Sequence, residues 1–251
     1  MDKFFSSNRL RTARIALGLS MEDLSMRTNR IVSRQSIHGY ETDRMRPKAK
    51  VLNKLAQALG VSRDYLEGKG LTIDIPALRI TTSRVLTSEE TQEIGDILTF
   101  RAERYIELEE KTGMLREFSN PLKSLMVSNQ KEAEEAATLL RGEWCMGTSS
   151  ITSVYRLLER KGIKLIEATL PQGVLGLSTW CEKKYPLIVM NADKTSTTTE
   201  RTRFTAIHEL GHLLLNIAIE CDKERICNQF AACFLLPKEV MYEELGSKRD
   251  F

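Results

Sequence analysis

A mainly α-helical protein with a small β-sheet, an α+β fold with an all-α N-terminal domain and a mixed C-terminal domain, is predicted by three observations. Residues 8–66 read as a string of short helices with cap and turn residues at their ends. The run from Ser150 to Asn191 passes from a helical period to short strand-like segments. The stretch "RFTAIHELGHLLLN", Arg203 to Asn216, puts two of the chain's three histidines four residues apart on one apolar helix. With 251 residues the chain has room for two modest domains, taking about 150 residues as a loose domain size. Its 41% hydrophobic and 28% charged residues fit a packed core rather than disorder.

The first helix is "RLRTARIALG", closed by a turn at Gly18 and Leu19. In "SMEDL", Ser20 caps the next helix with Asp23 three residues on, a capping-box start. Ser33 is the expected N-cap of "SRQSIHGYE". In "RPKAKVLNKLAQALG", Pro47 suits the first turn and Gly60 the C-terminal stop. Leu52, Leu55, Ala56 and Leu59 in that segment follow the spacing of a buried helical face.

These elements define a domain over residues 1–70, followed by a linker and helical segment over 71–140 and a second domain over 141–251. The linker is "GKGLTIDIPALRITTSRVLT", with its glycines, proline and β-branched runs. Thr87 with Glu90 opens a charged helix in which Ile94, Ile97, Leu98, Arg101 and Tyr105 form the expected packing stripe, the remaining charges being read as solvated. "SITSVYRLLERKG" is an amphipathic helix stopped by Gly162, and "IKLIEA" a strand. "GVLGLSTWCEKKYPLIVMN" is a hairpin turning at Glu182–Lys184. Two helices are expected between Thr199 and Leu236.

Net charge is +3, but residues 1–70 hold 14 Lys/Arg against 7 Asp/Glu, a balance of +7 that leaves −4 elsewhere. Such asymmetry points to a nucleic-acid-facing N-terminal end. No apolar run approaches the ~18 residues of a membrane span and no signal-peptide pattern opens the chain, so a cytoplasmic protein without a membrane partner is expected. The five cysteines form no C-x-x-C pair and read as reduced, small buried residues.

On a helix, positions i and i+4 share a face, so His208 and His212 can turn their imidazoles toward one ion. Glu209 stands one step round, where a carboxylate reaches a water without ligating: the H-E-x-x-H arrangement, with the glutamate as catalytic general base. Gly211 leaves room for another element to approach. A catalytic site needs a third protein ligand, and the next helix offers Glu220, Asp222 and Glu224. Glu224, twelve residues after His212, is the choice, with Asn228 placed to hydrogen-bond a ligating imidazole and Cys221 and Cys227 as softer rival ligands. Phe230, Ala231, Phe234 and Leu235 would bury that helix. Zinc is the expected ion, with manganese as the alternative, and amide hydrolysis the expected chemistry.

"ERTRFTAIHELGHLLLN" followed by "ERICNQFAACFLLP" resembles the ImmA/IrrE family of metallopeptidases over roughly residues 140–240. The resemblance implies a zincin-like domain, zinc held by His208, His212 and Glu224, catalysis by Glu209, and a transcriptional repressor as protein substrate. Asn216 stands where many relatives carry histidine, and the sequence ends about fourteen residues after "LLP".

The helices of residues 8–66 resemble the helix-turn-helix of the XRE, or Cro/repressor-like, family. By that resemblance the helix after Ser33 enters the major groove of an operator DNA duplex, with Arg34, Gln35 and Ser36 as base readers and His38 beside them. Arg11, Arg14, Arg44, Arg46 and Lys48 are the expected phosphate contacts, and a homodimer on two half-sites is the expected assembly. Met21 departs from a commonly polar position, and the turn before Ser33 is about two residues longer than usual. A DNA-binding regulator carrying a metallopeptidase is the function these readings imply. The alternatives are a repressor whose zinc domain is a silent sensor or scaffold, and one component of a toxin–antitoxin or phage-control pair.

Overall fold

The computed structural model describes residues 5–68, 73–74, 87–171, 173–193 and 198–246. Of the predicted linker, residues 68–87, only Gly68, Ile73–Asp74 and Thr87 fall among these. Contacts divide the chain into two units, Met1–Leu78 with Arg84–Met114, and Arg79–Ser83 with Leu115–Phe251. Helices dominate both units and the longer strands fall in the second, an α+β architecture as expected. No described helix is long and apolar enough to cross a membrane.

The first unit contains α1 (Ser7–Ala16), α2 (Met21–Arg27), α3 (Arg34–Glu41), α4 (Ala49–Leu59), α5 (Arg63–Glu67), the two-residue strand β1 (Ile73–Asp74) and α6 (Ser88–Thr112). The Ser20/Asp23 capping box forms, Ser33 accepts from the Ser36 amide, and Gly60 ends α4 in the left-handed region at φ 64°. Leu10, Leu24, Ile37, Leu52, Leu55 and Leu66 meet in its core.

Arg14, expected at a phosphate, is buried instead. Its Nε and Nη2 donate to the two oxygens of Glu41 at 2.6 and 2.8 Å, and Nη1 donates to the Leu19 carbonyl at 2.8 Å. This fork ties α1 to α3 and to the turn before α2, a use of arginine that suits its planar donor geometry.

Helix α6 packs on α1, and its Ile94, Leu98, Ala102 and Ile106 are buried. Two of its charges, read as solvated, are buried: Asp96 and Glu103. Arg11 Nε lies 3.5 Å from Asp96, and Arg9 Nε lies 3.2 Å from Glu103. Positions 96 and 103 are seven apart, so both fall on the face that meets α1, whereas Arg101, predicted in the stripe, is exposed. A pattern that scores only apolar residues misses carboxylates whose partners stand on another helix.

The second unit contains β2 (Met126–Val127), α7 (Gln130–Glu143), α8 (Val154–Arg160), β3 (Lys164–Ala168), β4 (Gly176–Cys181), β5 (Tyr185–Asn191), α9 (Thr199–Leu214), β6 (Asn216–Ile217), α10 (Lys223–Leu235) and α11 (Lys238–Leu245). β4 and β5 form the predicted antiparallel hairpin, with Glu182 and Lys183 at positive φ in its turn, and β3 runs parallel to β5. α9 lies against β4 and β5, and α10 packs between α9 and α7.

Helix α7 was not foreseen, although Asn129 caps it and Ala133, Ala136, Ala137 and Leu140 form a buried i, i+3, i+4, i+7 face. Helix α11 was not foreseen either. Arg141 of α7 is buried and donates to the carbonyls of Gly147, Ser149 and Phe234 at 2.8, 2.6 and 2.6 Å, which fastens the C-terminal end of α10.

Removing one partner of the α1–α3 fork leaves the other charge buried. Arg14→Met is expected to lower stability by about 3 kcal/mol in urea unfolding, and adding Glu41→Leu is expected to recover most of that loss.

Candidate metal centre

Helix α9 starts at Thr198, whose hydroxyl accepts from the Arg201 amide. Arg203 donates to the Ile151 carbonyl and so anchors its N-terminal half. At the other end Asn120 donates to the Leu214 carbonyl at 2.9 Å, which satisfies one of the open carbonyls there. The chain then enters β6, paired in parallel with β2 through Met126↔Asn216 and Val127↔Ile217. The Cys221 thiol donates to the Ser128 carbonyl at 3.0 Å, and Asp222 caps α10. Glu224 thereby sits in the first turn of α10, where the helix dipole favours a carboxylate.

The close approach anticipated at Gly211 is the contact between α9 and α10. A Cβ at Gly211 would stand 3.2 Å from Cys227 Sγ, 3.3 Å from Cys227 Cβ and 3.3 Å from Phe230 Cδ1. Phe230, Ala231 and Phe234 are fully buried behind it, as the sequence indicated, while Leu235 is half-buried.

Across this contact the three predicted ligands converge. Their donor atoms all lie within 4.8 Å of one another, in the only such group among the described residues. The two Nε2 atoms are 3.0 Å apart, and Glu224 oxygens lie 3.2 Å from His208 Nε2 and 3.4 Å from His212 Nε2. Ligands about 2.0–2.1 Å from a tetrahedral zinc ion are separated by about 3.3 Å, so the spacing fits such an ion. Two imidazoles and one carboxylate are also the donor set of a zinc centre with one open position.

Cys227 is not a fourth member. Its sulfur lies 3.5 Å from His212 Nδ1, the ring nitrogen turned away from Glu224, and burial pushes its thiol well above the ordinary range. Asn228, the residue expected behind a ligand, adds to the pull that keeps a proton on His208, yet His208 Nδ1 is buried without a hydrogen-bond partner.

The two glutamates occupy opposite environments. Hydrogen bonds from His208 and His212 hold Glu224 well below the usual carboxylate range. Burial pushes Glu209 upward, against the lowering effect of a 2.8 Å hydrogen bond from Ser178 Oγ to Oε2 and of the two nearby histidines. For His208, burial works against the charged form, but Glu224 and Glu209 outweigh it and the net shift is upward.

Ser178 was not among the predicted site residues. It lies on β4, on the face shared with Gly176 and Trp180, and a Cβ at Gly176 would meet Thr205 Cγ2 at 3.0 Å and Glu209 Cγ at 3.4 Å. The alternation of the strand was legible in the sequence, whereas the helix it faces was not.

On the first unit Arg34, Gln35 and His38 are exposed along α3, and Ser36 is half-buried with its hydroxyl 3.0 Å from that of Ser33. Arg44, Arg46 and Lys48 are exposed between α3 and α4. The Arg11 side chain is 47% exposed although it pairs with Asp96.

Residues 10–66 match a family model described as helix-turn-helix, and residues 158–251 match one described as IrrE N-terminal-like domain. No curated protein and no solved structure matches the chain.

Gly211→Ala forces α10 outward or repacks Cys227, and is expected to cost about 1–3 kcal/mol in thermal unfolding and to weaken zinc uptake in a metal titration. A pH test follows from the ion pair. Glu224, depressed, contributes stability above its ordinary value of 4.5 that is lost on acidification, while His208, raised, contributes stability below 6.5 that is lost as pH climbs through its elevated value. With metal chelated, the stability difference between wild type and Glu224→Gln should therefore peak between pH 4.5 and 6.5 in urea unfolding.

Proposed function

From a chain that joins a helix-turn-helix domain to an IrrE N-terminal-like, peptidase-like domain, we propose a cytoplasmic DNA-binding regulator whose second unit is a zinc-dependent endopeptidase acting on a repressor-type protein. The observation that carries this reading is the convergence of His208, His212 and Glu224 beside a buried carboxylate, Glu209, held by Ser178. A metal ion at this site would supply Lewis acidity toward a scissile carbonyl and acidify the attacking water.

The chain's own residues perform the rest. Glu209 takes the proton of the attacking water and returns it to the leaving amine. Its raised affinity for a proton, caused chiefly by burial, brings it nearer the working range of an acid–base group at neutral pH. Because Ser178 engages Oε2, Oε1 is the oxygen assigned to that proton transfer. Glu224, negatively charged and in the first turn of α10, balances the cation while His208 and His212 give neutral nitrogen donors.

In the first unit, Arg34 and Gln35 at the start of α3 are the proposed base readers, since each can pair with a guanine or adenine edge through two hydrogen bonds. Ser36 and His38 accompany them, and Arg11, Arg44, Arg46 and Lys48 are assigned to backbone phosphates. Binding as a homodimer on two half-sites completes the reading.

The test combines metal content with cleavage. The wild-type chain is expected to purify with about one zinc per molecule, and His208→Ala with none. Co-expressed with repressors from its own genome, wild type should shorten one of them, whereas Glu209→Gln should retain zinc and lose at least about 100-fold in cleavage rate. If Glu209→Gln leaves every regulatory phenotype intact, the second unit is a metal-dependent scaffold and the peptidase reading is wrong.

A further inference from the structure

Cys227 stands behind a proposed ligand rather than among the ligands. Its sulfur is 3.5 Å from His212 Nδ1, while His212 Nε2 faces Glu224 and His208 on the opposite side of the ring. An imidazole that offers the Nε2 lone pair to a cation carries its proton on Nδ1, and that N–H then needs an acceptor. Among the described hydrogen bonds of His212 Nδ1, the Cys227 sulfur is the partner.

The placement of this sulfur is built into the helix pair. Cys227 is buried on α10 and packs into the space that Gly211 leaves open on α9, one residue before His212. The same contact that sets the distance between the helices therefore sets where the sulfur meets the ring. Residue 227 is also three positions after Glu224, so one face of α10 supplies both the carboxylate on the Nε2 side and the sulfur on the Nδ1 side.

We propose that Cys227 is a positioning residue for the metal centre, accepting the Nδ1–H of His212 and so holding the ring in the tautomer and orientation that present Nε2 to the ion. Sulfur is a weak acceptor, so the effect belongs at the lower end of what partners behind metal ligands contribute, about tenfold in metal affinity. The inference rests on the metal-centre reading above but not on peptidase activity.

The test is a Co2+ titration of the full-length chain, stripped with a chelator, followed by visible absorption, with thermal unfolding of each metal-free variant measured alongside. Cys227→Ala is expected to bind Co2+ about tenfold more weakly than wild type. Cys227→Ser, which keeps an acceptor near Nδ1, is expected to recover part of that loss, and Cys233→Ala, on the same helix, to bind as wild type does. Equal affinity in wild type and Cys227→Ala overturns the proposal, as does a Ser variant as weak as Ala at equal metal-free stability, which would make the sulfur a packing group. A wild-type chain that takes up no Co2+ overturns the metal centre itself and the positioning role with it. Wild type that binds Co2+ tightly while cleaving no repressor removes the peptidase reading and leaves the role of Cys227 to be decided by the affinities.

Discussion

The close approach of α9 and α10 at Gly211 is the constraint on which the second unit depends. Three donor atoms from two helices must meet at separations between 3.0 and 3.4 Å, and a side chain at position 211 would already stand 3.2 Å from Cys227 Sγ. Helix packing around an ordinary residue separates axes by about 8–10 Å, and small residues favour the short end of that range. Other contacts hold the helices at that approach. Asn120 and the β2–β6 pair fix the exit of α9, Asp222 starts α10 at the right residue, and Arg141 ties the far end of α10 to α7. The apolar surface of α10 then seals the pair from behind.

The two carboxylates of the site show how environment gives one chemical group two different proton affinities. Glu224 is half-buried and faces two imidazoles, whose hydrogen bonds hold it well below the usual carboxylate range. Glu209 is 9% exposed, receives a hydrogen bond from Ser178, and holds its proton more readily than an ordinary glutamate. Pairs of titratable groups driven apart in this way are a recurring sign of divided acid–base labour. Here the division originates in a strand–helix contact for one residue and a helix–helix contact for the other.

In the first unit, charge serves the interior as well as the surface. The +7 balance of residues 1–70 counts Arg9, Arg11 and Arg14 equally with Arg34 or Lys48. The structure separates them: Arg14 is committed to Glu41, and Arg9 and Arg11 face Glu103 and Asp96 of α6. The exposed basic side chains of this unit include Arg34 on α3 and Arg44, Arg46 and Lys48 in the segment between α3 and α4. A net charge is a sum and carries no information about which charges have partners inside the fold.

What the sequence determined by itself is local. Caps at Ser20, Ser33 and Thr87, the stop at Gly60, the hairpin turn at Glu182 and Lys183, and the i, i+4 placement of His208 and His212 all depend on residues within one turn of each other, and each is where the pattern put it. Even the convergence of Glu224 was legible, because twelve residues leave room for one reversal onto the facing helix. Ser178 beside Glu209, Cys227 behind His212, Arg14 in a buried fork and Asp96 and Glu103 under α1 were decided only by tertiary structure. The physical reason is shared: a polar side chain is buried only where a complementary group from a different element meets it, and that meeting is a property of packing, not of spacing along the chain.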